Sequence, residues 1–485
     1  MGTMKEYNEL VILQMNDSHA YLDLHDEYFW KDGKQVYRKV GGYGRITRYF
    51  DKVREENQGS VIALDNGDTI HGTYPAIETE GEVMIPILNR IGFDAWTAHW
   101  DFAYGPEHLL DLSRSLDYPL LAINCYHEDT DELVFDPYKI LERDGVKIGL
   151  IGIAATIVDK TMPDHFSEGV YFTLGKEELP SYIHELKEEK DVDLIVVFAH
   201  LGYPQELKLA KEVDDIDVLI SGHTHNRVQE PVKMNGTLII QSGCHGSFIG
   251  RLDLKLRDGK IKGYEHELVE IKKSMKPDEE VQRSVDEAKR PYKDMLQEVV
   301  GETKIGLARD RVMETTMDNL LLEAMIEASE TKIAFSNGWR YGSPIPPGKI
   351  TMEDLWNMIP VDPPISKCEI TGKELWDMIE EDLELTFSKN SYHQMGGYVK
   401  RCYGINVYFK VENPRGKRIQ EFFVGDERLD KEKTYEVCFV TTQGIPAKYG
   451  ENRRDLDIHA VEALREYVEK NSPVKPELEG TIVPI

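Results

Sequence analysis

Four short apolar runs in the first half of this chain each lead into a cluster of side chains that bind metals. Leu10-Val11-Ile12-Leu13 leads to Asn16-Asp17-Ser18-His19, Leu194-Ile195-Val196-Val197 to Phe198-Ala199-His200, and Val218-Leu219-Ile220 to Gly222-His223-Thr224-His225. A shorter run, Val61-Ile62-Ala63-Leu64, leads to Asp65-Asn66-Gly67-Asp68, and a fifth segment reads His99-Trp100-Asp101. Apolar runs of this length read as buried strands. Ligands at the carboxyl ends of neighbouring strands converge on one crevice, where open α/β sheets place their sites. One His-x-His proves little. Asp-x-His, Gly-Asp, a lone strand-end His and Gly-His-x-His in this order form a specific pattern.

Taken singly, these residues have blander readings. His200 alone would be a structural histidine, but its place at a strand end, shortly before Gly222-His223-Thr224-His225, reverses this. His71, beside Asp68-Thr69-Ile70, reads equally as a substrate contact or a solvent histidine, and His127 as a surface one. Asn124 ranks low, and Cys244 reads as a bystander near the site. Mixed carboxylate and imidazole ligands suit Mn, Zn, Fe or Co better than Ca or Mg. Two such cations about 3.5–4 Å apart can clamp a tetrahedral oxyanion and supply a nucleophile from water. No Gly-x-Ser-x-Gly elbow, phosphate-binding loop or dinucleotide fingerprint is present.

On these five segments the chain resembles the two-domain calcineurin-like metallophosphoesterases of the 5′-nucleotidase type. The resemblance implies a four-layer αββα domain followed by a smaller α/β domain, with the active site between them. It also implies two divalent metal ions, Mn favoured, that share a bridging aspartate. By position, Asp17, His19 and His225 look like ligands of one metal, His200 and His223 of the other, and Asp68 the bridge. The implied activity is hydrolysis of phosphate esters, with nucleotides as the expected substrates (5′-nucleotidase or 2′,3′-cyclic phosphodiesterase type).

The third segment departs from that family. Its usual Gly-Asn-His-Glu/Asp is replaced by Ala98-His99-Trp100-Asp101, followed by Phe102-Ala103-Tyr104-Gly105. Aligned from the downstream residues, His99 takes the place of the ligand Asn, Trp100 that of the catalytic His, and Asp101 that of the acidic partner. His99 is then a metal ligand and Asp101 the remaining catalytic candidate. A gapped register makes His99 the catalytic histidine instead. An indole nitrogen can donate a hydrogen bond but cannot act as acid or base. The variant segment is similar to the His-Trp-Glu-Phe of the thiosulfohydrolase (SoxB-type) branch. The alternatives are therefore a sulfur-ester hydrolase or a metal-binding member without turnover.

The 485 residues suit two or three domains. Residues 7–272 alternate strand-like and helical stretches and read as the metal-binding domain. Residues 273–299 read as a connector, with a helix over 278–299 carrying Val281, Val285, Ala288, Tyr292, Met295 and Val299 on one face. Residues 300–485 read as the substrate-binding domain. There Asn337 and Arg340, in Ser336-Asn337-Gly338-Trp339-Arg340, match the family's Asn-Gly-Gly-x-Arg, whose Arg helps bind the nucleotide. Tyr398, after Gly396-Gly397, matches a Phe position and could stack on a base. The family's late Asn-Asp-Phe…Gly-Gly-Asp block is replaced by Thr441-Thr442-Gln443-Gly444-Ile445-Pro446, which removes a second stacking aromatic.

A net charge of −29 argues against wrapping a nucleic-acid polymer, which needs Lys and Arg, but not against a small anionic substrate held by metals. No apolar run is long enough for a membrane span. The start has no apolar signal region, so the expected location is cytoplasmic, or periplasmic or extracellular if an export signal was trimmed. Five widely spaced cysteines predict free thiols rather than a disulfide framework.

Overall fold

The computed structural model describes residues 7–485, and the first six residues, on which the reading of an export signal bears, lie outside the described residues. Two compact units emerge. The first takes the chain up to His25 and Lys39–Pro291, and the second takes Asp26–Arg38 and Tyr292–Ile485.

The first unit is built on two sheets. One has the order Lys260–Glu270, Phe248–Arg257, Asn8–Met15, Val61–Asp65, Ala95–Trp96, with the last three strands parallel. The other has the order Val232–Met234, Thr237–Ile240, Val218–Ser221, Leu194–Ala199, Val146–Ile153, Tyr138–Arg143, with the inner four parallel. Alternate residues of a strand face opposite sides. Leu10, Ile12, Ile62 and Leu64 from one sheet and Ile148, Val196, Phe198 and Ile220 from the other share a core between the sheets. The opposite face of the second sheet, with Ile151, Ile195 and Val197, packs on Leu179, Ile183, Leu209 and Ala210 of its helices. Helix Tyr43–Glu56 buries Ile46, Phe50 and Val53 on the side of the first sheet. The result is the four-layer αββα arrangement. Parallel strands buried on both faces explain why these runs are continuously apolar rather than alternating.

The long connector helix expected over 278–299 is not formed as one element. It runs only over Glu279–Lys289, capped at its start by Asp278, and gives way to short turns at Pro291. Proline removes the amide that would continue the helix and clashes with the preceding turn. Val281 and Val285 are buried as expected, but Val299 is exposed and opens a strand, Val299–Thr303.

The second unit has a five-stranded sheet in the order Arg401–Tyr403, Ala334–Ser336, Thr434–Phe439, Pro364–Thr371, Glu451–His459. Helix Gly372–Phe387 starts with a Thr371–Glu374 capping box and contributes Leu375, Met378, Ile379 and Leu383 to the core. All five cysteines are free. No helix among the described residues is long and apolar enough to cross a membrane.

Candidate metal centre

All five segments leave the carboxyl ends of parallel strands: Asn8–Met15, Val61–Asp65, Ala95–Trp96, Leu194–Ala199 and Val218–Ser221. The first two loops continue the pairing of their strands. Asn66 N donates to Met15 O (2.9 Å), Asp17 N to Gly67 O (2.9 Å), His19 N to Asp68 O (2.7 Å) and Ala20 N to Thr69 O (2.9 Å). Gly67 is required at its place: its φ is +88°, and an added Cβ would lie 2.7 Å from Thr97 O. Five of the implicated residues also adopt positive φ without being glycine: Asp17 (50°), His19 (48°), Asp68 (55°), His223 (71°) and His225 (56°). Such backbone costs about 1–3 kcal/mol per residue and persists where the surroundings over-determine it, typically at functional sites.

The side chains gather into two groups that share Asp68. Asp68, His99, His200 and His223 offer ligand atoms within 4.8 Å of one another, and so do Asp17, His19, Asp68 and His225. In the first group, His99 Nδ1 lies 3.1 Å from Asp68 Oδ1 and His200 Nε2 3.3 Å from Asp68 Oδ2. In the second, His19 Nε2 lies 3.7 Å from Asp68 Oδ2 and His225 Nε2 3.1 Å from Asp17 Oδ1. His19 Nε2 and His225 Nε2 face each other at 3.3 Å.

The donor set fits a cation in each group. His200 Nδ1 bonds the Asn66 carbonyl, which fixes that nitrogen as the donor and turns Nε2 toward Asp68 and Asp17 (3.3 and 3.6 Å). A lone pair facing two carboxylates is unfavourable without a positive charge between them. Burial pulls the His200 imidazole down, but Asp68 and Asp17 outweigh it and push it up to about 10. Burial likewise raises Asp68, yet His99, His200 and His19 hold it well below the usual carboxylate range. His99 Nε2 is buried with no hydrogen-bond partner among the described residues.

A second layer holds these groups in place, as metal sites require. His223 N donates to both oxygens of Asp17 (3.1 and 3.0 Å), and Asn16 Nδ2 reaches Asp17 Oδ2 at 2.6 Å. Trp100 N donates to Asp68 Oδ1 at 2.7 Å.

Asp101, expected as a catalytic group, is engaged differently. It is fully buried, and both its oxygens are taken by backbone amides: Oδ2 by Asp68 N and His99 N (2.8 and 3.2 Å), Oδ1 by Thr69 N and Ile70 N (2.9 and 3.0 Å). A carboxylate saturated by four N–H groups has no lone pair directed at a substrate, so Asp101 is a positioning residue for the Asp68 loop. Asn124 is structural: its amide clamps Ala154 and Thr173.

Residues 10–227 match the calcineurin-like phosphoesterase model, and residues 299–443 match the 5′-nucleotidase C-terminal domain. This chain is a calcineurin-like metallophosphoesterase of the 5′-nucleotidase two-domain type. It is 26% identical to a 5′-nucleotidase of Vibrio vulnificus, across 96% of this chain and 91% of that protein. It is 25% identical to the trifunctional nucleotide phosphoesterase YfkN of Bacillus subtilis, across 98% of this chain but 35% of that longer protein. Among solved structures, its fold is shared with the sulfate thiohydrolase SoxB of Thermus thermophilus (TM-score 0.91, 22% identity, 100% and 98% of the two chains). It is also shared with a 5′-nucleotidase precursor from the same species (TM-score 0.85, 24% identity, 98% and 99%).

In the second unit of this metallophosphoesterase, the residues expected to bind substrate do come together. Arg340 lies over the Tyr398 ring at 5.3 Å, and Asn337 Nδ2 donates to Gln443 Oε1 at 3.0 Å. Gln443 belongs to the segment that replaces the family's late block, and nothing in the sequence marked it as a partner of Asn337. The Arg340 guanidinium covers one face of the Tyr398 ring.

Proposed function

We propose that this metallophosphoesterase hydrolyses phosphate esters of small anions, nucleotides foremost, at a pair of Mn ions. The reading rests on one observation: two four-residue groups of buried carboxylate and imidazole donors share the single carboxylate of Asp68. Asp17, His19 and His225 would hold one ion, His99, His200 and His223 the other, and Asp68 both. When bound, two such ions polarise a tetrahedral oxyanion and bring the ionisation of water near neutral pH. The protein's own part is positional. Asp101 fixes the backbone of Asp68 and His99, and Asn16 and the His223 amide fix Asp17. Asn337 and Arg340 offer polar and cationic contacts for the organic part of an anionic substrate.

A second reading, a sulfur-ester hydrolase, is favoured by Trp100. In the alignment with the family motif Trp100 takes the position of the catalytic histidine, and an indole there cannot protonate a leaving group. The test is a panel with added Mn: adenosine monophosphate, 2′,3′-cyclic adenosine monophosphate, an aryl phosphate and a cysteine S-sulfonate. Hydrolysis of either nucleotide at about 10² s⁻¹, within the ordinary range of enzymes, supports the first reading. Release of sulfate from the S-sulfonate with the nucleotides untouched supports the second.

A further inference from the structure

His71 stands outside both ligand groups, yet it sits at their edge. It follows Asp68 by three residues, and its neighbour Gly72 presses on His19: a Cβ added there would lie 2.6 Å from His19 O. The imidazole stacks on the Trp100 indole, with centroids 5.1 Å apart and planes at 26°, and Tyr104 lies beside it at 5.7 Å. Trp100 is itself fixed, by Phe166 edge-on at 5.5 Å and by its backbone amide on Asp68. His71 is only 2% exposed, and its Nδ1 is buried with no hydrogen-bond partner among the described residues. Leaving a buried polar atom unsatisfied costs about 1–3 kcal/mol. When Nδ1 carries the proton of the ring, it can donate to an oxyanion.

Resting on the metallophosphoesterase reading, we propose that His71 binds the substrate's tetrahedral anion as a neutral hydrogen-bond donor, held in place by Trp100. Burial pushes its imidazole down to about 4 despite the pull of Asp68, so the ring carries one N–H and one lone pair at neutral pH. His71 and Trp100 therefore supply this edge of the site with neutral groups rather than an acid. Hydrolysis in this arrangement joins a water-derived oxygen to the central atom as the leaving-group bond breaks. The bonding pair departs with the leaving group, the proton of water passes to solvent, and His71 keeps its own. The ligand class is a tetrahedral oxyanion, the phosphoryl group of the substrate or the phosphate it releases.

The test measures inorganic phosphate binding by calorimetry, with metal content, for the Mn-loaded wild type, His71→Ala and His71→Gln, alongside Asp68→Asn. A hydrogen bond to a charged group predicts about ten- to hundred-fold weaker phosphate binding in His71→Ala, with two equivalents of Mn retained. His71→Gln, whose amide can still donate, should recover most of the loss. Rates on an aryl phosphate relative to adenosine monophosphate should keep the same ratio in wild type and His71→Gln. Unchanged phosphate binding in His71→Ala overturns the proposal and leaves the hydrolase reading intact. So does a Gln variant no better than Ala. A ratio raised more than about 10²-fold in His71→Gln shows a proton donor and also overturns it. A Mn-loaded wild type that binds no phosphate at all overturns the hydrolase reading, and this inference with it. Asp68→Asn calibrates the loss expected when the metals themselves go.

Discussion

Asp101→Asn isolates the scaffold from the ligands it supports. In the native protein four backbone N–H groups, those of Asp68, Thr69, Ile70 and His99, converge on one buried carboxylate. The amide keeps one oxygen, which can serve two of those donors. Its NH₂ then faces the other two, so two charge-assisted bonds are lost and donors confront a donor. At about 1.5–3 kcal/mol for each bond to a charged group, the loss is about 3–6 kcal/mol. For a domain of this size that lowers Tm by roughly 6–24 °C. None of the four bonds involves a metal, so the loss should persist in EDTA. Thermal unfolding of metal-free wild type and variant is the assay, with metal content of the untreated proteins measured alongside. An apo variant within about 1 °C of apo wild type, a shift below what even one lost bond predicts, refutes the positional role of Asp101.

Asp68→Asn removes the one carboxylate common to both groups, so bound metal should fall from two equivalents to one or none, and atomic absorption reads the result. An amide cannot bridge two cations with a full charge. His99→Ala should cost only the ion of the His200–His223 group, leaving about one equivalent; two equivalents retained at native affinity would remove His99 from the ligand set. Glu206 tests burial behind the His200 loop: it is fully buried, its Oε1 accepts from Leu201 N and Gly202 N, and burial pushes its carboxyl up to about 8. Between its unfolded value near 4.5 and about 8, the folded state holds a proton that the unfolded state has released, so stability falls as pH rises through that window. Glu206→Gln should therefore gain stability relative to wild type from pH 5 to pH 9 in urea unfolding, and a constant difference would contradict the shift.

The candidate ligands were legible because two independent patterns coincide on them. Continuous apolar runs announce buried parallel strands, and each run ends on carboxylate or imidazole donors. The segment His99-Trp100-Asp101 shows the same logic working through register: His99 joins Asp68, His200 and His223 although its segment departs from the family. What the sequence hid depends on contacts between distant segments. The four amides on Asp101 come from two loops, and only their meeting turns a candidate acid into a scaffold. His71 looks like any polar turn residue until Trp100 is seen beneath its ring. The segment Asp26–Arg38 groups with residues beyond 291, a long-range pairing that no local periodicity carries. The break in the connector has a mark in the sequence: Pro291 stands inside the expected helix.

The facing imidazoles of His19 and His225 are separated by 206 residues of chain. During synthesis, which proceeds at about 5–20 residues per second, Asp17 and His19 emerge many seconds before their partner exists. The two groups lack their full donor sets until His223 and His225 have left the ribosome, because His223 completes one and His225 the other. At that stage the carboxylates of Asp17 and Asp68 have been made but not all the imidazoles that face them. A complete ligand set thus exists only after most of this unit has been synthesised, and the free-ion supply from then on bears on which cation it keeps.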